Sequence, residues 1–332
     1  MLIALKFLLA AGLIYFACEF FVNGIEWLGR KLGLGATATG TVLAAFGTAL
    51  PESAVTFVAV ILGRNPAQRD VGVGAALGGP LVLATIAYAV VGAALWLRCR
   101  QRGHADARVQ ADGRRLARDQ AWFLAIFVLK CGLGLVAFAF KPWLGVLFLG
   151  AYAAYVWREL CDRGDADDED ALEPLKFAPR VAEPAMAWVL AQVAVALALI
   201  ALASQVFVAQ LGAIGAAWGW SPHLVALVLS PVATELPETV NALIWVRQGK
   251  ERLALANISG AMMIQATIPS ALALFGTPWL FDLPLLTAGA LTLLAVAYLW
   301  WRFRRGAVDA RVLLPVSALY VLFAVCLACR AG

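Results

Sequence analysis

Charge is what this sequence has least of. Only 14 % of its 332 residues are Asp, Glu, Lys or Arg, whereas 63 % are apolar; soluble domains carry about 25 % charge. The shortage excludes a water-soluble domain and makes the chain an all-α polytopic membrane protein with the lipid bilayer as its solvent. A cleavable leader is missing as well: the first apolar run, 2–22, has neither a basic n-region nor a small-residue cleavage site and is expected to stay as a span. Of the six cysteines only Cys326 and Cys329 stand at a C-x-x-C spacing, with no second pair and no neighbouring histidine, so zinc, thiol redox chemistry and resident cofactors are not expected. HExxH, a Ser/His pair, a phosphate loop and an aspartate-rich motif are all lacking. The net charge of +5 resides in loops, which speaks to insertion topology and not to nucleic acid. No protein partner is indicated.

What the chain has is apolar runs of spanning length, about 17–25 residues each. They fall at 2–22, 34–62, 70–97, 120–140, 142–158, 184–212, 221–247, 253–275, 278–301 and 311–329, and predict about ten transmembrane helices. If the loops after odd-numbered spans share one side, that side holds Arg30, Lys31, the seven arginines between 98 and 118, and those of 158–180, 247–252 and 302–311. The other side holds only Arg64, Arg69, Lys141 and Arg330. The basic side is then cytoplasmic and both termini lie outside, in a bacterial inner (plasma) membrane. One connection is strongly polar, ELCDRGDADDEDALEPLK (159–176), and it divides five spans from five. It sets off a first five-helix repeat over 1–158, an acidic cytoplasmic linker over 159–183 and a second five-helix repeat over 184–332. Without the central glycine and closing glutamate of a calcium loop, the linker reads as a solvated hinge.

The two halves carry related segments. GTALPESAVTFVAVILGR (47–64) aligns without gaps on ATELPETVNALIWVRQGK (233–250), pairing Thr48 with Thr234, Leu50 with Leu236, Pro51 with Pro237 and Glu52 with Glu238. Five spans per half is an odd number, so the second copy enters the membrane from the opposite face and the repeats are inverted. Counted along the sequence, Glu52 and Glu238 fall about seventeen or eighteen residues into their spans, and opposed helices bring both near the midplane. Glu52, Glu235 and Glu238 together cost roughly 10 kcal/mol at the bilayer centre. Stability alone would not retain them.

The residue types around those acids suit a hard cation. Proline frees the carbonyl four residues back, which releases the oxygens of Gly47 and Ala233. With the hydroxyls of Thr48 and Thr234 and the carboxylates of Glu52 and Glu238, these make an all-oxygen set of the kind Ca²⁺ takes at a coordination number of about 6–8. Glu235 and Glu238, at i and i+3, can face the same side. Three acids in one pocket cannot all stay ionised without a cation, so cation entry is expected to release protons.

GTALPE and ATELPE, each in a half of five spans, resemble the α-repeats of the cation/calcium exchanger superfamily, whose motif reads G-T-S-x-P-E. The resemblance implies that Glu52 and Glu238 coordinate the transported cation, Ca²⁺ as substrate, and that Thr48 and Thr234 contribute oxygens. It implies exchange of Ca²⁺ for Na⁺ or H⁺. The chain departs from the pattern at Ala49 and Glu235, which stand at the motif serine. The following G-N-x-x-G-S-N/D pattern has become GAALGGP (74–80) and ANISGAM (256–262), which keeps Asn257 but puts Pro80 and Met262 at its last position. One acid is thus lost from the eighth span while Glu235 appears on the seventh. Fewer neutral oxygens favour proton over sodium coupling.

The reading is therefore a secondary-active antiporter of inorganic cations, Ca²⁺ or another divalent ion for H⁺ or Na⁺, with a metal site of Glu52, Glu238, Thr48, Thr234, Glu235 and Asn257, and not an enzyme. Two alternatives use the same glutamates: an intramembrane enzyme with paired carboxylates and a passive cation channel.

Overall fold

The computed structural model describes residues 2–331 apart from 36–37, 62–65, 102–107, 110, 162–171, 218, 220–230, 232–233 and 307, and some helical side chains, those of Pro51 and Glu52 among them, lie outside the description. Ten long helices can be followed among the described residues. Helix α1 is Leu2–Lys31; α2 opens in a wide π-helical stretch, Thr39–Ala44, and continues as Ala45–Ile61. Helix α3 runs through Pro66–Val82, a π-helical stretch Leu83–Ala87 and Tyr88–Gln101. Helix α4 is Gly113–Leu133, α5 is Gly145–Cys161 and α6 is Met186–Ala217. The second half continues with α7 Leu236–Gln248, α8 Glu251–Gly276, α9 Leu283–Phe303 and α10 Ser317–Ala331. Five helices precede the linker and five follow it, so the halves cross in opposite senses.

Local chemistry sets the helix ends. The carboxylates of Asp112 and Asp282 accept from the main-chain N–H groups of Arg114 and Leu285 at 2.9 and 3.0 Å, filling donors that the first turns of α4 and α9 leave open. Gly249, at φ 89°, closes α7 in the left-handed conformation and lets α8 begin at once.

Helix α8 is the most enclosed, with 83 % of its most apolar stretch buried, whereas the same measure is 22 % for the α5 span, which faces lipid. Around α8 stand α2, α3, α4, α5 and α7, while α1 lies along α6 and α9 along α4. Contact between the halves is backbone on backbone: a side chain at Gly260 of α8 would meet the Thr41 carbonyl oxygen of α2 at 2.2 Å. Gly40 meets the Ala256 and Asn257 turn of α8 in the same way, so the wide opening of α2 sits directly on α8.

The fourth helix starts earlier than hydropathy suggests, at 113 and not near 120. Arg114, Arg115, Arg118 and Asp119, expected in a loop, are helical. Arg115 donates to Glu159 at 2.8 Å and Arg118 reaches the other carboxylate oxygen at 3.4 Å, with the Glu159 side chain only 1 % exposed. Glu159 therefore belongs to α5 and not to the linker. The later part of the linker is also docked. Asn23 of α1 donates to the carbonyls of Glu173 and Pro174 and accepts from the Lys176 N–H, while Gln192 of α6 accepts from Phe177 N–H at 2.8 Å and donates to Asn23 at 2.9 Å. Leu175 is fully buried there beside Trp27. The acidic stretch 162–171 lies outside the described residues.

The basic ends of the odd-numbered helices gather at one end of the bundle. Arg30 pairs with Glu183 at the start of α6, Arg98 of α3 donates to the Val246 carbonyl of α7, and strand β1, Arg108–Val109, pairs antiparallel with β2, Val308–Asp309. Replacing Glu159 by Gln removes the carboxylate from a buried ion pair and is expected to cost about 3 kcal/mol of stability, read as a lowered melting temperature of the purified protein in detergent. An unchanged melting temperature would show that the pair contributes nothing.

Candidate cation site

The second motif does not sit inside one continuous helix. Glu235, at φ −86° and ψ 2°, stands outside helical geometry and caps α7, which begins at Leu236 with Pro237 in its first turn. The Glu235 N–H donates to the Pro231 carbonyl at 3.0 Å, and the Thr234 hydroxyl donates to that same oxygen at 3.1 Å. The Glu235 carbonyl accepts from the N–H and the hydroxyl of Thr239, at 3.2 and 3.0 Å. Irregular backbone at membrane depth is tolerated where protein encloses it, and Glu235 is 0 % exposed and Glu238 1 %. Glu238 lies in the first turn of α7, where the open N–H groups favour negative charge. The Ala233 carbonyl that Pro237 is expected to free lies outside the described residues.

Two helices pin this turn. The Asn257 amide of α8 donates to the Glu238 carbonyl at 3.1 Å, and the Cys18 thiol of α1 stands 3.9 Å from the Pro237 carbonyl. The oxygen of the Asn257 amide has no hydrogen-bond partner among the described residues, and neither amide atom of the fully buried Asn241 has one. Asn241 follows Glu238 by three residues and shares its helix face. The sequence reading overlooked Asn241, although it lies three residues past the motif glutamate and its spacing could have flagged it.

In the first motif Thr48 is 3 % exposed and its hydroxyl donates back to the Ala44 carbonyl at 3.1 Å, leaving oxygen lone pairs for another donor or a cation. Position 52 lies one turn after Thr48 and one turn before Thr56, on the face those two buried threonines define. The Glu52 side chain is outside the described residues. Helix α2 touches both α7 and α8, so the two motif helices do meet. The structure thus brings Glu235, Glu238 and Asn257 to one junction and places Thr48 and Thr234 in bonds to their own segments. Among the described residues no group of three or more acid, cysteine or histidine side chains is gathered.

Opposed halves whose motif helices meet, with buried acids and amides around the start of α7, fit a class: membrane transporters that hold their cargo between repeats. The sequence profile of the sodium/calcium exchanger protein family matches residues 2–160 and 188–329, and the chain belongs to that family. Over 266 residues, 79 % of this chain and 77 % of the relative, it is 26 % identical to a protein of Alkalimonas amylolytica named as an antiporter, CaxA. It is 26 % identical over 162 residues to cation/calcium exchanger 2 of Arabidopsis thaliana, where the match spans 47 % of this chain and only 27 % of that longer protein. The fold matches that of the solved sodium-calcium exchanger NCX_Mj soaked with 2.5 mM Na⁺ and 0.1 mM Ca²⁺, with a TM-score of 0.75, 17 % identity and 97 % of each chain covered. Against the same exchanger soaked with zero Na⁺ and Ca²⁺ the TM-score is 0.72.

Asn257→Leu deletes the donor that fixes the first turn of α7 and leaves the buried Glu238 carbonyl without it. The expected cost is about 1–2 kcal/mol, checked by thermal unfolding in detergent; a variant as stable as the parent would mean that the bond does not hold α7 in place.

Proposed function

We propose that this chain is a secondary-active antiporter that exchanges Ca²⁺, or another divalent cation, for H⁺ or Na⁺ through a carboxylate site built from Glu52 and Glu238. Its further members are Thr48, Thr234, Glu235 and Asn257. The observation that carries the reading is the position of Glu238: a residue 1 % exposed, in the opening turn of α7, beside a second buried acid and near amides whose oxygens have no hydrogen-bond partner among the described residues. Burying two acids at that depth is costly on stability grounds, and an arriving divalent cation offsets their repulsion. Family membership and the names of the relatives, an antiporter and a cation/calcium exchanger, support the same chemistry.

Proton coupling fits the chain better than sodium coupling. Ala49, Pro80 and Met262 supply no side-chain oxygen where the exchanger pattern has Ser, Asn or Asp, and a small monovalent ion needs several neutral ligands; a proton needs only a titratable acid. The basic helix ends support a reading in which the linker side is cytoplasmic and both termini lie outside, in a bacterial plasma membrane. The inverted halves then open the site to one side at a time.

Glu52→Gln and Glu238→Gln are each expected to reduce uptake of radiolabelled Ca²⁺ into proteoliposomes to the level of empty vesicles. Both variants taking up Ca²⁺ at the parent rate under an imposed gradient would refute the site. Running Ca²⁺, Mn²⁺ and Mg²⁺ against imposed pH and Na⁺ gradients identifies the pair exchanged, and flux that follows voltage without any counter-ion would make the protein a channel.

A further inference from the structure

Lys130 stands in the last turn of α4, at the end of its apolar stretch, and it is fully buried at 0 % exposure. A lysine near lipid ordinarily runs its stem to the interface; this one turns inward. Its ammonium donates to the carbonyl oxygen of Ala76 on α3 at 2.6 Å and to that of Gln265 on α8 at 3.2 Å.

These two carbonyls share a property. Pro80 follows Ala76 by four residues and Pro269 follows Gln265 by four, and both prolines lie inside their helices. A helical carbonyl is filled by the N–H four residues on, which proline lacks. One helix from each half therefore presents to Lys130 the very oxygen that its own ladder leaves open. The faces of Phe127 and Trp279 stand with their centres 5.1 and 5.9 Å from the ammonium, within or near the range at which a ring attracts a cation. The Trp279 indole N–H donates to the Lys130 carbonyl at 3.1 Å and so fixes both the ring and the lysine backbone.

Backbone carbonyls that replace a hydration shell are how proteins hold alkali cations away from water. We propose that Lys130 is a tethered monovalent cation: its ammonium permanently fills a site made by the proline-freed carbonyls of Ala76 and Gln265, joins α3 to α8, and supplies in place the charge that a free potassium or ammonium ion would bring. Take the lysine side chain away, and the pocket becomes a binding site for a small monovalent cation. The site lies on α3 and α8, the helices that carry the segments 74–80 and 256–262, and on this account the tethered charge makes a loose monovalent ion at that point unnecessary. The inference is independent of which ions the protein exchanges.

The test is thermal unfolding of the full-length protein in detergent with choline as the background cation. Lys130→Ala is expected to melt lower than the parent and to regain stability as methylammonium or potassium is added, saturably and by about 2–4 °C, whereas the parent does not respond. Lys130→Met, which keeps the apolar stem, provides the second arm in combination with Pro80→Ala and Pro269→Ala, since those changes return the missing N–H groups to Ala76 and Gln265. The loss of melting temperature caused by Lys130→Met is expected to shrink by at least about half in that double-alanine background, because partners of a shared network couple. Should Lys130→Ala fail to fold, the Met series alone decides. No response of Lys130→Ala to either cation, or the same loss from Lys130→Met in both backgrounds, overturns the proposal. Because the readout is unfolding, its failure leaves the antiport reading untouched, and failure of Ca²⁺ uptake leaves this inference untouched.

Discussion

Inside a bilayer there is no water to satisfy a stray N–H, C=O or charge, so each must find its partner within the protein. This constraint organises the whole molecule. It makes the chain helical almost throughout, and it makes every break in a helix a place where an oxygen has to be used. Pro51, Pro80 and Pro269 interrupt the hydrogen-bond ladder inside continuous helices and Pro237 stands in the first turn of its own; they lie on α2, α3, α8 and α7, with α8 at the centre. Where the structure describes what fills them, the answer is specific: an ammonium takes the carbonyl oxygens four residues before Pro80 and Pro269; the oxygen four residues before Pro237 lies outside the described residues.

Much of the fold was legible because lipid enforces a simple rule of length and apolarity. Eight of the ten helices overlap their apolar runs closely, and among the described residues the seventh begins at Leu236, after the turn at Glu235. The fourth was displaced for a reason hydropathy cannot register. Its first turns carry Arg115, Arg118 and Asp119, which look like loop residues until Glu159 of α5 supplies the opposite charge. The docked part of the linker was hidden in the same way, since Asn23 and Gln192 find their partners in chain segments distant in sequence, as with Asn23 and Glu173, 150 residues apart.

For the site, the sequence pointed to the residues whose cost was visible. A glutamate inside an apolar run announces itself, and Glu235 and Glu238 are indeed buried together, with Asn257 against them. Lys130 went unread because one lysine is averaged away in a strongly apolar window and because its partners are backbone oxygens, which every residue has. Only the four-residue offset from two prolines marks those oxygens out, and that offset joins three separate helices. Asn241 aligns with Val55 in the first motif and so has no polar counterpart there, and both its amide atoms are buried without a hydrogen-bond partner among the described residues.

Two uses of one device follow from this. At Glu235 and Glu238, the start of α7 at Pro237 holds buried carboxylates, whose charge, in the proposed exchange, a divalent cation balances before it leaves. At Lys130, helices with an internal proline sit beside a cation that cannot leave, since four methylenes tie it to α4. A site that releases its ion can change shape between loaded and empty states; a site with a covalently held ion has a single state. Fixing α3 to α8 in this way gives the two halves a joint next to the proposed cation site, which would leave the acids and the helix turns around them as the parts that differ between loaded and empty protein. Rigid support beside a labile site is what ion exchange requires: the binding energy of the cargo is then spent on moving the helices that face it and is not dissipated in loosening the bundle.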